Sequence, residues 1–161
     1  MLELVKIAER SYTIAQTHHH AIQLQTAGCM QFIDITEAVI ERVRQSGIRN
    51  GLVNVQTKHT TTAIMVNEHE PLLLEDMKRI LEQLAPQNAA YQHNDLSLRT
   101  ANLTPDEKEN GHSHCKAMFL KTSETLNLAD GALQLGRWQR IFFIELDSAR
   151  KRTVSVMIMG Q

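Results

Sequence analysis

No apolar run in these 161 residues approaches the ~20 that a membrane-spanning helix needs. The opening stretch, MLELVKIAER, lacks the apolar core of a secretion signal. Neither sign of charge is in excess. Seventeen basic and eighteen acidic residues leave a net −1, which argues against a dedicated nucleic-acid binder. There are only two cysteines, Cys29 and Cys115, and they form no metal or redox motif with each other. Without a secretion signal they read as free thiols in a reducing cytoplasm. Internal repeats, low-complexity segments and linkers are also missing. With 42% hydrophobic residues, what is left is one globular domain spanning residues 1–161.

Periodicity divides that domain into strands and helices. Ser11 to Gln16 and His20 to Leu24 alternate loosely and predict a hairpin, with the run His18-His19-His20 at its turn. An exposed turn is the expected role of that run, because consecutive residues on a strand cannot all face one metal. Gln31 to Ile35 is a short apolar stretch. The segment DITEAVIERVRQSG predicts a helix opened by an Asp34–Glu37 capping box and stopped at Gly47. Gly51 to Gln56 and Thr61 to Val66 read as strands. Pro71 opens a second helix with an apolar stripe at Leu73, Met77, Ile80, Leu81 and Leu84. Residues 85 to 113 form a long loop, after which Ser113 is a candidate cap for a short helix through Leu120. Asp130-Gly131 is a tight-turn signal, Leu133 to Leu146 is apolar, and Thr153 to Met159 alternates. About seven strands and two or three helices in mixed order predict an α+β fold with a mixed or antiparallel sheet.

Five polar clusters interrupt this frame: KHTTT (58–62), VNEHE (66–70), YQHND (91–95), NGHSHCK (110–116) and GRWQ (136–139). His59 precedes three threonines in a turn that can hold an anion, or simply edges a strand. Asn67 and Glu68 sit where a strand becomes a helix, a place where helix amides favour anions; Glu68 and Glu70 can equally serve only the helix dipole. His93 and His114 come from opposite ends of the long loop and meet if it folds back, which suits Zn²⁺ or a similar ion. His112 joins His114 on a metal only if the helix has not yet begun. Cys115 and Trp138 read as core. Gln139, if buried in its strand, needs a partner and is a site candidate. The basic run Arg150 to Arg152 reads as a solvated face, or as a phosphate contact if a pocket lies beside it.

The order of these motifs closely resembles the YjbQ-like family over residues 31 to 160: HTTTAIMVNEHE, then a helix with Asp-Met, YQHND, SHCKAMFL and DGALQLGRWQRIFFIELD. The resemblance places the family's site on His59, Asn67, Glu68, Asp76, His93, His114, Lys116, Gly136, Trp138, Gln139 and Glu145. It implies a compact α+β domain that forms a homotrimer with sites near subunit boundaries. Some members are described as secondary thiamine-phosphate synthases, which implies joining a pyrimidine diphosphate to a thiazole phosphate with loss of pyrophosphate. The expectation is therefore a small-molecule enzyme acting on a phosphorylated substrate, with no nucleic-acid or membrane partner. A divalent metal, Zn-like rather than Mg, is held by His59, His93 and His114, because hard Mg²⁺ prefers oxygen ligands. Asn67, Glu68, Gln139 and Lys116 are the catalytic candidates. A metal-dependent hydrolase of a phosphorylated substrate and a non-catalytic metabolite- or anion-binding trimer are the alternatives.

Overall fold

The computed structural model describes residues 16–105 and 107–161. Eight strands and three helices follow in the order β1 (Gln16–Gln25), β2 (Gln31–Asp34), α1 (Thr36–Ser46), β3 (Gly51–Thr57), β4 (Thr62–Glu68), α2 (Pro71–Leu84), α3 (Gly111–Ala117), β5 (Ser123–Ala129), β6 (Ala132–Leu133), β7 (Gln139–Glu145) and β8 (Lys151–Gly160). They form two antiparallel sheets rather than one, β1-β8-β3-β5-β6 and β2-β7-β4. No helix among the described residues is long and apolar enough to cross a membrane.

The alternation of β7 explains how the sheets stack. Ile141 and Phe143 point into a core shared with Val53 and Val55 of β3, Val154 and Val156 of β8, and Val39 and Val43 of α1. Phe142 and Ile144 point the other way, onto Leu81 of α2. β7 is therefore buried on both faces, which accounts for its near-continuous apolar sequence. Each of its phenylalanines contributes about 1.5–3 kcal/mol of apolar burial. The apolar stripe of α2 is only half covered. Leu81 is buried, while Ile80 and Leu84 stay about half exposed.

Local chemistry sets the element ends, sometimes through different atoms from those expected. Gly47 ends α1 in the left-handed conformation, φ 70°. The capping box does not form: Asp34 Oδ1 accepts the Thr36 N–H at 2.9 Å, and Glu37 turns to Arg140 instead. Asp130 and Gly131 both take positive φ, joining β5 to β6. Gly51 pairs with Gly160 across β3 and β8. A Cβ on Gly51 would lie 1.9 Å from the Met159 carbonyl oxygen, so only glycine permits this close approach.

Three further expectations change. Residues 11–15, the first arm of the expected hairpin, lie outside the described residues. The histidine run is not in a turn but inside the ten-residue β1, paired along its whole length with β8. His18 and His20 share one face, and His19 faces the other way toward Ser155. Histidine carries no strand signal of its own; the β8 ladder decides. Trp138 is not core: it precedes β7 and is 60% exposed, with the Arg137 guanidinium 4.5 Å above its ring. Cys115 is only half-buried.

Candidate functional site

One end of the β4–β7 pair carries a cleft of about 480 Å³. The β3–β4 turn, the 92–107 loop, α3 and the start of β8 meet there. His59 enters from the turn, His93 from a single 3₁₀ turn at Gln92–Asn94, and His114 from α3. Lys58, Arg99, Arg150 and Arg152 line the same cleft. Each arginine is held by one carboxylate: Arg99 by Glu107 at 2.6 Å, Arg150 by Asp147 at 2.8 Å, and Arg152 by Glu145 at 2.6 Å. Lys58 has no carboxylate partner among the described residues. The lining therefore holds its cations in fixed positions and keeps a net positive charge, an arrangement suited to an anion.

The loop folds back as anticipated and brings His93 and His114 to 4.6 Å between ring centroids, edge to face. Asn110 fixes the first ring, its Oδ1 lying 3.2 Å from His93 Nε2. That contact puts the proton on Nε2 and leaves Nδ1 with a free lone pair. A metal-binding histidine is oriented in the same way, by a carbonyl on its other nitrogen. Burial, then the neighbouring His93 and Arg99, lower the His114 pKa, so its ring is neutral at pH 7.

His59 is constrained differently. Its Nε2 accepts the backbone N–H of Thr153 at 3.1 Å. The proton must then lie on Nδ1, which can donate to an anion but cannot ligate a metal while that bond holds. Burial, then Arg152, lower its pKa as well. The three histidines thus divide into a neighbouring His93–His114 pair and a His59 whose Nδ1–H can donate to an anion. No group of three or more metal-ligating side chains converges among the described residues.

The remaining site candidates lie elsewhere. Strand register pairs Thr62 with Glu145 at the cleft end and Glu68 with Gln139 at the other. Six residues separate these pairs, about 20 Å at ~3.3 Å per residue. Asn67, Glu68 and Gln139 therefore do not reach the cleft within one chain. Asn67 Oδ1 accepts the Glu68 N–H, and Gln139 Oε1 accepts the Gly136 N–H. The α2 amides offer no free anion site, because the Glu70 carboxylate already accepts from Leu72 and Leu73. Asp76 pairs with Arg79 on the surface.

Lys116 is fully buried, its Nζ donating to Glu82 at 2.8 Å, and is not among the cleft residues. The helix has begun by Gly111, with Asn110 rather than Ser113 at its cap. Residues two apart on a helix point about 200° from each other. His112 is accordingly buried against Ser113 while His114 faces the cleft. Sequence reasoning missed Arg99 and gave no role to Lys58 and Asn110, although both lie in the flagged clusters 58–62 and 110–116. A lone arginine in an aperiodic loop carries no signal; only the basic run at 150–152 hinted at Arg152.

Fold and cleft together define a compact two-sheet α+β domain with a basic, histidine-lined pocket at one sheet end. The chain belongs to the YjbQ-like family: the model of the UPF0047 protein YjbQ-like family matches residues 20–161. A UPF0047 protein of Methanothermobacter thermautotrophicus is 37% identical over 146 residues, covering 91% of this chain and 94% of the relative. One from Archaeoglobus fulgidus is 42% identical over 135 residues, 84% of this chain and 96% of the relative. Among solved structures, a YjbQ-like protein of unknown function from Sulfolobus solfataricus superposes with a TM-score of 0.79 at 32% identity, covering 91% of this chain and 99% of the other. A YjbQ/UPF0047 protein from Clostridium acetobutylicum gives 0.74 at 33% identity, with 86% and 98% covered.

Proposed function

We propose that the chain is a cytoplasmic small-molecule enzyme that binds a phosphorylated substrate in the histidine–arginine cleft. The observation that carries this reading is the convergence of Lys58, Arg99, Arg150 and Arg152 with the N–H-donating His59 on one concave surface. Such a surface neutralises a phosphate or a leaving diphosphate in place, which is the main demand of chemistry that expels pyrophosphate. The reaction we assign is of the thiamine-phosphate synthase type, joining a pyrimidine diphosphate to a thiazole phosphate. His93 and His114 are the residues that would hold a divalent ion, and imidazole donors favour Zn²⁺ over Mg²⁺. Such an ion would supply further positive charge to a phosphate oxygen. His59 is an anion donor in this scheme.

The same proposal includes a homotrimer. Asn67, Glu68 and Gln139 lie at the far end of the sheet pair from the cleft. A head-to-tail ring sets one copy's far end against the next copy's cleft, so that these residues complete the site from a neighbouring chain.

Pyrophosphate binding followed by calorimetry, together with turnover of both phosphorylated precursors, tests the scheme. Binding that weakens at least tenfold in Arg152→Met or His59→Ala, with product formed by the wild type, supports it. Absence of pyrophosphate binding sinks the cleft as an anion site. Binding without product leaves an anion-binding protein and removes the synthase assignment. Elemental analysis of wild type and His114→Ala tests the metal: about one ion per chain, lost in the variant, is expected. Light scattering at a mass other than three chains removes the trimer.

A further inference from the structure

The 92–107 loop carries a second hollow of about 480 Å³ beside the histidine–arginine cleft, and the two share His93, Arg99 and Asn102. Arg99 is the fixed part of that shared wall. Its Nε donates to the Ala101 carbonyl at 3.2 Å, its Nη2 to the Asn102 carbonyl at 2.8 Å and its Nη1 to Glu107 at 2.6 Å. Glu107 also accepts from the Thr104 hydroxyl at 2.9 Å, so the loop is wound about one guanidinium. The outer wall differs in chemistry from the cleft. It is made by Leu98, Ala101 and the exposed carboxamide of Gln92. Leu98 leaves 67% of its surface in water. A single exposed leucine is ordinary on a protein surface. One that walls a hollow opening onto a cationic cleft stands where a ligand would cover it.

We propose that the cleft takes an organic phosphate whose body lies in this second hollow. The phosphate meets His59 and Arg152. The body crosses the Arg99 wall and covers Leu98 and Ala101, with Gln92 at its polar edge. A flat ring suits the crossing, because a guanidinium held by three acceptors in its own plane offers its face to stacking. Leu98 and Gln92 do not touch the phosphate; they select organic phosphates over the inorganic ion. This inference rests on the anion reading of the cleft and adds the part of the chain that recognises the rest of the substrate.

Calorimetry with inorganic phosphate, 1-naphthyl phosphate and 1-naphthol separates the two readings. The wild type is expected to bind 1-naphthyl phosphate about tenfold or more tightly than inorganic phosphate, the gain from covering one leucine with apolar surface, and to bind 1-naphthol far more weakly. Leu98→Asn, an exposed position, removes that gain and leaves the affinity for inorganic phosphate unchanged. Arg152→Met weakens both anions. Equal affinity of the wild type for the two anions overturns the inference and leaves the cleft an anion site. A gain that survives in Leu98→Asn overturns it as well, as does 1-naphthol binding as tightly as its phosphate ester. If neither phosphate binds, the anion reading itself falls and this inference with it. Light scattering accompanies the titrations: a Leu98→Asn protein of lower mass than the wild type means that a second copy covers the leucine, which also overturns the inference.

Discussion

Cutting the Glu145–Arg152 pair separates the stability of the fold from the function of the cleft. Both side chains are almost wholly removed from solvent. Arg152 donates Nε to Oε2 at 2.6 Å and Nη2 to Oε1 at 2.7 Å, a two-pronged contact. The carboxylate also accepts from Thr26 Oγ1 and from the Asp147 N–H. Glu145→Leu leaves a guanidinium buried without its counter-charge, and breaking one half of such a pair costs about 3–5 kcal/mol. In a chain of this length each kcal/mol moves Tm by about 2–4 °C, so the loss is about 6–20 °C. The double variant Glu145→Leu/Arg152→Met removes both charges. It leaves the Asp147 N–H without an acceptor and Thr61 Oγ1 without the Arg152 donor, while Thr26 Oγ1 keeps the Arg150 carbonyl at 3.1 Å. Its residual cost is therefore about 1–3 kcal/mol for each of these two buried groups. Urea denaturation of the three proteins measures these differences, and pyrophosphate calorimetry follows function. The double variant should recover part of the stability lost in Glu145→Leu, since no unpaired charge stays buried, and no anion affinity, because Arg152 lines the cleft. A Glu145→Leu protein within 1 kcal/mol of wild type would refute the reasoning, since it would mean that the pair is reached by water.

Stability should fall on acidification through the histidine range. Burial is the largest cause of the lowered pKa of His59, His112 and His114, so below the ordinary value near 6.5 the unfolded chain takes up protons that the folded chain refuses. Stability rises with pH across that window, by at most about 1.4 kcal/mol per pH unit for the buried His112. Urea midpoints at several pH values measure the slope, which should flatten in His112→Gln. Lys116→Met, a near-isosteric apolar replacement of a buried ammonium, should change stability by less than about 1.5 kcal/mol and leave pyrophosphate affinity intact. Loss of affinity there would restore Lys116 as a site residue. Gly51→Ala should cost at least about 3 kcal/mol in thermal unfolding, because its Cβ meets the Met159 carbonyl 1.9 Å away and the strand pair must open.

Most elements were legible because their signals are local. Pro71 and its stripe marked α2, β-branched residues marked β3 and β4, Gly47 stopped α1, and Asp130-Gly131 turned β5 into β6. Where a side chain had two uses, the sequence pointed to the wrong one. Asp34 looked like half of a capping box but holds the Thr36 amide and Arg140 instead. Trp138 looked like core because large apolar residues usually are, yet the chain places it just outside β7. The histidine run looked like a turn because its strand character comes only from β8.

The sequence alone determined the α+β class, the family and the residue types of the site, since apolar period and motif order are properties of the chain read in one dimension. Tertiary structure alone decided which of those residues meet. It brought His93 beside His114 across the long loop, gave His59 a backbone partner that sets its proton, and buried Lys116 on the far side of a helix turn. It also set Asn67, Glu68 and Gln139 a full strand length from the cleft. Proximity, burial and tautomer arise from contacts between segments distant in sequence, and no spacing along the chain encodes them.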